Sequence, residues 1–472
     1  MGRTMSSTSV VWFRRDLRIS DHPALSGAVE RSDRVIGVFC LDDHLLTGRM
    51  ASGSRTQFML ECLADLDRSL RERGSRLVIR RGPPEREIVD LARATGAREI
   101  HLTRDATPYA RARGRRVADA CATADIRLVG HPGLWAVDDP TAVLTAGGTP
   151  YQVFTPFHRR WLEEPRRPVL DAPASLGAGV EVDPGRIPDL AELGLTQDAS
   201  DPLGGGERAA WERLDQFRAD ALENYGRGGH DALGDDGTSR LSAYLRFGAI
   251  SPRQIEDGLD DGAGSEEFRR QLCWRDFYLD LLRRHPENAK LEQQPDRRGI
   301  RWRDAPEDLA RWQAGETGYP LVDAGMRQLL AEGFMHNRTR MLTGSFLTKH
   351  LGIDWREGER WFMRLLLDGD PAVNNGNWQW IASVGSDPQP VGRRLLSPTR
   401  QQERFDPEGT YVRRWVPELR RVPDAFLAEP WRMPDDLAMA CRCVIGLDYP
   451  PPIVDHASAR QEALARYAAA RG

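Results

Sequence analysis

The chain predicts an α/β domain built on a parallel, Rossmann-like sheet, followed by an all-α domain. Three observations carry this. Up to about residue 135, short apolar runs alternate with amphipathic stretches. A Pro-, Gly-, Ala- and Asp-rich segment without periodicity follows, densest over 163–207. From about residue 208, strand signals fade and helical patterns with many tryptophans and arginines take over. The predicted boundaries are therefore 1–135, a connector 136–207, and a helical domain 208–472.

The strands of the first domain are VVWF (10–13), VIGVFCL (35–41), LVIR (77–80), EIHLT (99–103) and RLVGH (127–131). Such nearly continuous apolar runs suit strands covered on both faces. Between them, Met59, Cys62, Leu63, Leu66 and Leu70 recur at helical spacing, as do Ile88, Leu91 and Ala92. Neither G-x-G-x-x-G nor G-x-x-x-x-G-K-[ST] occurs, so no dinucleotide or P-loop fingerprint is supported.

Composition narrows the function classes. At 472 residues, with 40% hydrophobic and 29% charged residues, the chain has the make-up of a soluble globular protein with two or three cores. MGRTMSSTSVVWF has no apolar targeting core and no later run approaches a membrane span, so the expected location is cytoplasmic. The six cysteines form no C-x-x-C pairs, which leaves no metal site to expect and reads as reduced, mostly core thiols. A net charge of −4 gives no global signal for nucleic acid, so such a reading must rest on local patches.

Five segments carry candidate chemistry. In GTSRLSAYLRFGAISPR, Thr238 and Ser239 stand where a helix could begin, suiting either a phosphate or an ordinary cap. In EEFRRQLCWRDFYLDLLRR, Gln271, Trp274, Arg275 and Tyr278 share one helical face, which suits a stacking pocket or a core with satisfied polar tips. In GFMHNRTRMLTGSFLTKH, Arg340 could neutralise a buried acid, with Asp368 the candidate, while Arg338 could meet phosphate or solvent. Between 389 and 421, eight arginines face four acids, interleaved with Tyr411 and Trp415, as a DNA-contacting patch or a solvated face would be. Finally, DGDPAVNNGNWQWIASVG (368–385) is too aromatic for a surface loop and too polar for an ordinary core helix. It must hold something other than itself.

Seven motifs in order resemble the photolyase/cryptochrome family over nearly the whole chain: VVWFRRDLRISDHPAL, DGTSRLSAYLRFGAISPR, WRDFY, TGYPLVDAGMRQL, MHNRTRM, DWREGERWF and DGDPAVNNGNWQW. The resemblance is to the members that repair cyclobutane pyrimidine dimers. It implies a helical domain that binds FAD, reduced in the active form, and a deoxyribodipyrimidine photo-lyase activity on dimer-containing DNA. In that activity, photoexcited reduced FAD donates an electron to a flipped-out dimer. The alternative within the family is a cryptochrome-type blue-light receptor with weak repair or none. A monomer without membrane partners is expected.

By the same resemblance, the cofactor contacts are Tyr225, Thr238, Ser239, Arg240, Leu241, Ser242, Gln271, Arg275, Asn337, Arg340, Asp368, Asp370 and Asn374. Asn374 matches the residue facing flavin N5, where an un-ionisable amide can hold a reduced flavin in place. Trp378, Trp355 and Trp302 match the three-tryptophan chain that carries an electron to photoexcited oxidised flavin. Trp274 and Trp380 match the planes that sandwich the dimer, Asn337 and Met341 lie at its edge, and Trp274, Arg338, Arg394 and Gln401 match DNA contacts. Gln271 departs from the Glu usual in dimer-repairing members and predicts reduced efficiency. Cys40, Met50, Arg55, Asp105 and Arg246 resemble the pocket of members that carry a deazaflavin (8-HDF-type) antenna.

Overall fold

The computed structural model describes residues 7–48, 51–178, 181–233, 237–386 and 389–470. Two compact units are present. The first comprises Met1–Gln197, Leu203–Leu222 and Ser239–Pro286; the second comprises Asp198–Pro202, Glu223–Thr238 and Glu287–Gly472.

The first unit is built on a five-stranded parallel sheet. Its strands are β1 (Thr8–Phe13), β2 (Arg34–Leu41), β3 (Leu77–Arg81), β4 (Glu99–Thr103) and β5 (Arg127–His131), in the order β3-β2-β1-β4-β5. All five fall on the predicted apolar runs. β1 and β2 are buried along almost their whole length, the signature of strands covered on both faces. The helices Gly53–Arg71 and Pro84–Thr95 carry the periodic leucines, with Leu63, Leu66, Leu70, Ile88 and Ala92 at 0–2% exposure. The connector is more than a tether: the Ile79 amide on edge strand β3 donates to the Pro184 carbonyl (2.7 Å), occupying part of a ladder left open.

The strand order reverses direction between β1 and β4. In open α/β sheets, ligands enter outside the carboxyl ends of strands at such a switch point. Here a small pocket lined by Arg14, Arg15, Asp16, Thr103, Arg104, Asp105 and Leu134 lies at that place.

The Ala263–Arg284 helix also belongs to this unit. Asp276 ties it to the connector, accepting from the Ala136 amide (3.0 Å) and the Trp161 indole N–H (3.1 Å).

The second unit is helical. Its core gathers Trp312, Phe346, Trp355, Phe362 and Trp378, among others. Gly358 is required by this packing, since a Cβ there would lie 2.1 Å from the Trp378 ring. The Asn337–Ser345 helix runs into a π-helical turn, Phe346–His350. That turn buries Lys349, whose Nζ donates to the carbonyls of Ile381 (2.6 Å) and Arg394 (2.7 Å).

Candidate functional site

The puzzling 368–385 stretch forms the Pro371–Ile381 helix of the second unit. Asp370 starts it: its Oδ1 accepts from the amides of Ala372 (2.8 Å) and Val373 (3.1 Å), and Pro371 occupies the first helical position. Asn374, Asn375, Trp378 and Gln379 then fall on one buried face.

The Asn375 and Gln379 amides are engaged in holding neighbours. Asn375 Nδ2 donates to the Asn288 carbonyl (3.0 Å) and to Glu359 Oε1 (2.9 Å). Gln379 Nε2 donates to the carbonyls of Asn288 (2.9 Å) and Leu291 (3.1 Å), while its Oε1 accepts from the Gln293 amide (2.9 Å). The helix thus clamps the 288–293 loop. Unpaired, these groups would each cost about 1–3 kcal/mol.

Asn374 is also buried, and its Nδ2 donates to the Glu359 carbonyl (3.0 Å). That bond fixes the orientation of the amide and leaves Oδ1 as its acceptor. The expected Arg340–Asp368 pair is present and two-pronged, Nη1–Oδ1 at 3.1 Å and Nη2–Oδ2 at 2.9 Å. Arg340 Nε additionally donates to the Met335 carbonyl (2.7 Å), so the guanidinium is held at three points. The donor set fits a flavin ring edge: a buried carboxylate at Asp370, an oriented neutral amide at Asn374, and a paired Arg340–Asp368 beside them.

Trp378 is buried against Phe362 (centroids 5.0 Å apart) and Trp312 (6.3 Å). It packs on Gly358, one turn along the helix from Trp355. Trp302 is half-buried, and its neighbour Arg303 donates its amide to the Gly352 carbonyl (2.8 Å), three residues before Trp355. The backbone therefore brings the three expected tryptophans into one neighbourhood.

Trp380 is half-buried, with the Arg394 guanidinium 4.1 Å from its ring centroid and Arg394 Nη1 donating to the Trp380 carbonyl (2.9 Å). Arg394 is itself only 3% exposed. Its placement is that of a shelf under Trp380. Arg338 pairs with Asp231 and lies over the Phe405 ring. Gln401 presents an Oε1 that is buried without a hydrogen-bond partner. Asn337 is exposed and Met341, one turn on, is half-buried. Tyr411 belongs to the core, its hydroxyl donating to Gln328 (2.6 Å), so it is no stacking plane of the arginine-rich segment. Arg413 and Arg414 are likewise engaged, with Asp424 (2.6 Å) and Glu332 (3.6 Å).

Tyr225 is buried, and its carbonyl accepts from His230 Nδ1 (2.8 Å); Thr238 is half-buried.

Ser239, Arg240, Leu241 and Ser242 open the corresponding segment of the first unit. The helix here is Ser242–Phe247, so it begins later than Thr238 and Ser239, and no side chain caps it. The reason is local: Arg240 takes φ +51°, a left-handed conformation that breaks any helix started earlier. Ser239 Oγ instead accepts from the Leu241 amide (3.3 Å) in a tight turn, and Ser242 is exposed.

On the Ala263–Arg284 helix, Trp274 stacks flat on Phe154, with centroids 3.5 Å apart and planes at 4°. Tyr278 lies 5.4 Å from the same ring and is buried. Gln271 Nε2 donates to Glu267 Oε1 one turn back (2.7 Å). Arg275 donates to the carbonyls of Leu134 (2.7 Å) and Leu245 (3.4 Å). Sequence reasoning missed Phe154 because it sits in the connector; the signal was the spacing of Phe154, Phe157 and Trp161, which form the buried face of a short helix, Phe154–Glu163.

Of the antenna candidates, Met50 lies outside the described residues. Asp105 lines the switch-point pocket and faces Arg15 (3.6 Å), whose Nε donates to the Arg246 carbonyl (3.3 Å). Arg55 is buried in the first turn of its helix. Cys40 is packed in the sheet core, donating to the Gly82 carbonyl (3.4 Å), and burial pushes its thiol up to about 12, so it is an inert group.

Among the described residues, no helix is long and apolar enough to cross a membrane.

A parallel-sheet unit and a helical unit with a buried amide-and-carboxylate edge beside tryptophans define a cofactor-binding protein of two parts. Comparison with known proteins gives that class its family. The family model for DNA photolyase matches residues 9–174, and that for the FAD binding domain of DNA photolyase matches 268–469. The chain belongs to the photolyase/cryptochrome family, a family of enzymes and their flavoprotein relatives. A deoxyribodipyrimidine photo-lyase of Streptomyces griseus is 41% identical over 99% of both chains. A cryptochrome DASH of Gloeobacter violaceus is 35% identical over 95% of this chain and 93% of its own. The crystal structure of a class III photolyase from Agrobacterium tumefaciens superposes with a TM-score of 0.92 at 37% identity, covering 100% of this chain and 99% of that one.

Proposed function

We propose that this protein repairs cyclobutane pyrimidine dimers in DNA by light-driven electron transfer, with FAD bound at the residues named above. Reduced FAD, when bound, supplies one photoexcited electron that opens the dimer and is then returned. The chain's own part is positioning and electrostatics. Asn374 offers an oriented Oδ1 to a ring N–H without ionising, Arg340–Asp368 stiffens the pocket edge, and Trp274 in the first unit and Trp380 in the second each present a flat face of the kind a base stacks on. The observation that carries this reading is the Asn374 amide, committed through Nδ2 to the Glu359 carbonyl and so left with an acceptor. Asp105, Arg55 and Arg246 support a deazaflavin-type antenna, whereas Cys40 serves as wall only.

A second reading, a cryptochrome-type light receptor, is favoured by Gln271, which has no carboxyl proton or charge to offer the opened dimer. One experiment separates the two. Protein holding reduced FAD is illuminated with a dimer-containing oligonucleotide, and restored pyrimidines are counted against a dark control. Repair predicts light-dependent restoration; none at any light dose sinks that reading in favour of signalling.

A further inference from the structure

Glu292 is a buried acid with no place in the scheme so far. It is 5% exposed, yet its Oε1 accepts from the Trp355 indole N–H (3.3 Å) and its Oε2 from Arg356 Nη2 (2.8 Å). Burying a carboxylate is costly unless it is paired. Burial alone would push its pKa up, but the hydrogen bonds and charge of Arg356, with the Trp355 N–H, hold it below the ordinary carboxylate range. It is therefore an anion at neutral pH.

The loop that carries Glu292 is the one clamped by Asn375 and Gln379. The helix bearing Trp378 thus fixes where this carboxylate sits. Arg356 lies 4.6 Å from the Trp355 ring, but it is shared between Glu292 and Asp354 (3.1 Å), so two carboxylates stand against one guanidinium. Trp378 differs: the rings packed on it are those of Trp312 and Phe362, which are uncharged.

We infer that Glu292 is a positioning residue of the electron-transfer chain, a fixed counter-ion that makes Trp355 easier to oxidise than Trp378 and so draws positive charge away from the cofactor. This rests on the tryptophan-chain reading. In the step concerned, one electron passes from Trp355 to oxidised Trp378, which has given its own to photoexcited oxidised flavin. Trp355 is oxidised and Trp378 restored. The indole keeps its proton, because a carboxyl held low is a poor base. Refilling from Trp302 draws finally on an external thiol. A full charge at hydrogen-bond distance in a partly buried site is worth tenfold or more in such an equilibrium.

The test uses the full-length flavin-loaded protein. Glu292→Gln keeps size and acceptor but removes the charge. It is expected to lower the yield of FAD photoreduction about tenfold, shorten the lifetime of the tryptophan radical in transient absorption, and shift the Trp355 indole N–H resonance upfield. Repair by pre-reduced protein should stay unchanged. Glu292→Asp should recover part of the loss. Trp355→Phe serves as the reference: if it slows photoreduction and Glu292→Gln does not, the counter-ion idea is overturned alone. If Trp355→Phe has no effect, the chain reading falls and takes this inference with it. Should Glu292→Gln lose its flavin, Glu292→Asp decides, because it keeps the charge but draws it back from the indole and should shorten the tryptophan-radical lifetime part of the way. A lifetime equal to that of the wild type overturns the inference.

Discussion

Asp276 offers a sharp test of how the first unit is held together. It lies in the WRDFY motif, is fully buried, and accepts two hydrogen bonds on Oδ2, from the Ala136 amide and the Trp161 indole. Oδ1 has no hydrogen-bond partner and sits 3.6 Å from Arg275 Nη1. Burial pushes its pKa up to about 6 from the ordinary 3.8; Arg275, Trp161 and Ala136 pull the other way without overcoming it. The folded state therefore binds this proton more tightly than the unfolded state. The contribution is fully present below about pH 4, declines as pH rises towards 6, and is gone above that. A displacement from 3.8 to about 6 corresponds to about 3 kcal/mol. Asp276→Asn keeps an oxygen acceptor for both donors and does not titrate. Urea unfolding followed by tryptophan fluorescence, run on both proteins from about pH 4 to about pH 8, isolates the group by difference. The variant should gain about 3 kcal/mol on wild type across that range, with most of the change complete by about pH 7. A difference that stays flat with pH refutes the reasoning, because the buried carboxyl would then titrate normally.

Other outcomes follow from the same geometry. Asn375→Leu removes one hydrogen bond to a carboxyl and two to amide partners; it should destabilise the helical unit by about 3–4 kcal/mol and speed amide exchange across 288–293, measured by mass spectrometry. Trp378→Phe should slow photoreduction of oxidised FAD at least tenfold yet spare repair by pre-reduced protein, and an unchanged rate would show the chain to be misassigned. Phe154→Leu removes the flat support under Trp274, so affinity for dimer-containing DNA should fall about fivefold to tenfold with the flavin spectrum intact.

The inner strands β1 and β2 were legible because they are apolar on both faces, which leaves a continuous run in the sequence, and the alternation with helical stretches told such runs from a buried helix. The Arg340–Asp368 pair was legible from chemistry, since an acid in so aromatic and apolar a stretch needs a cation and few were at hand. The start of the Ser242–Phe247 helix was not, because a left-handed Arg240 has no residue-type signature as a glycine would. Arg338 and Arg394 show a further limit. An arginine in a basic stretch reads as surface, and only packing reveals that one lies buried against Trp380 and the other over Phe405. Glu292 stood in an undistinguished loop; its partners come from residues 63 and 64 positions further along the chain.

The departure at Gln271 looks different once its surroundings are known. A glutamate there would bring a proton or a charge to the face shared with Trp274. Gln271 brings neither, but its Nε2 is tied to Glu267, so a carboxyl stands one turn back along the same helix. The tie orients the amide, leaving Oε1 and the second N–H for a base edge, whose carbonyl and ring N–H alternate in the same way. On the proposed repair reading, the position would keep its capacity to read a pyrimidine while losing its capacity to protonate one. Recognition and electron return are separable tasks, so that reading predicts slower turnover on a dimer bound with ordinary affinity, seen as a lower rate of light-driven restoration at an unchanged Kd. Gln271→Glu should then raise the rate and leave the Kd alone, and a variant that changes neither would remove Gln271 from the repair scheme.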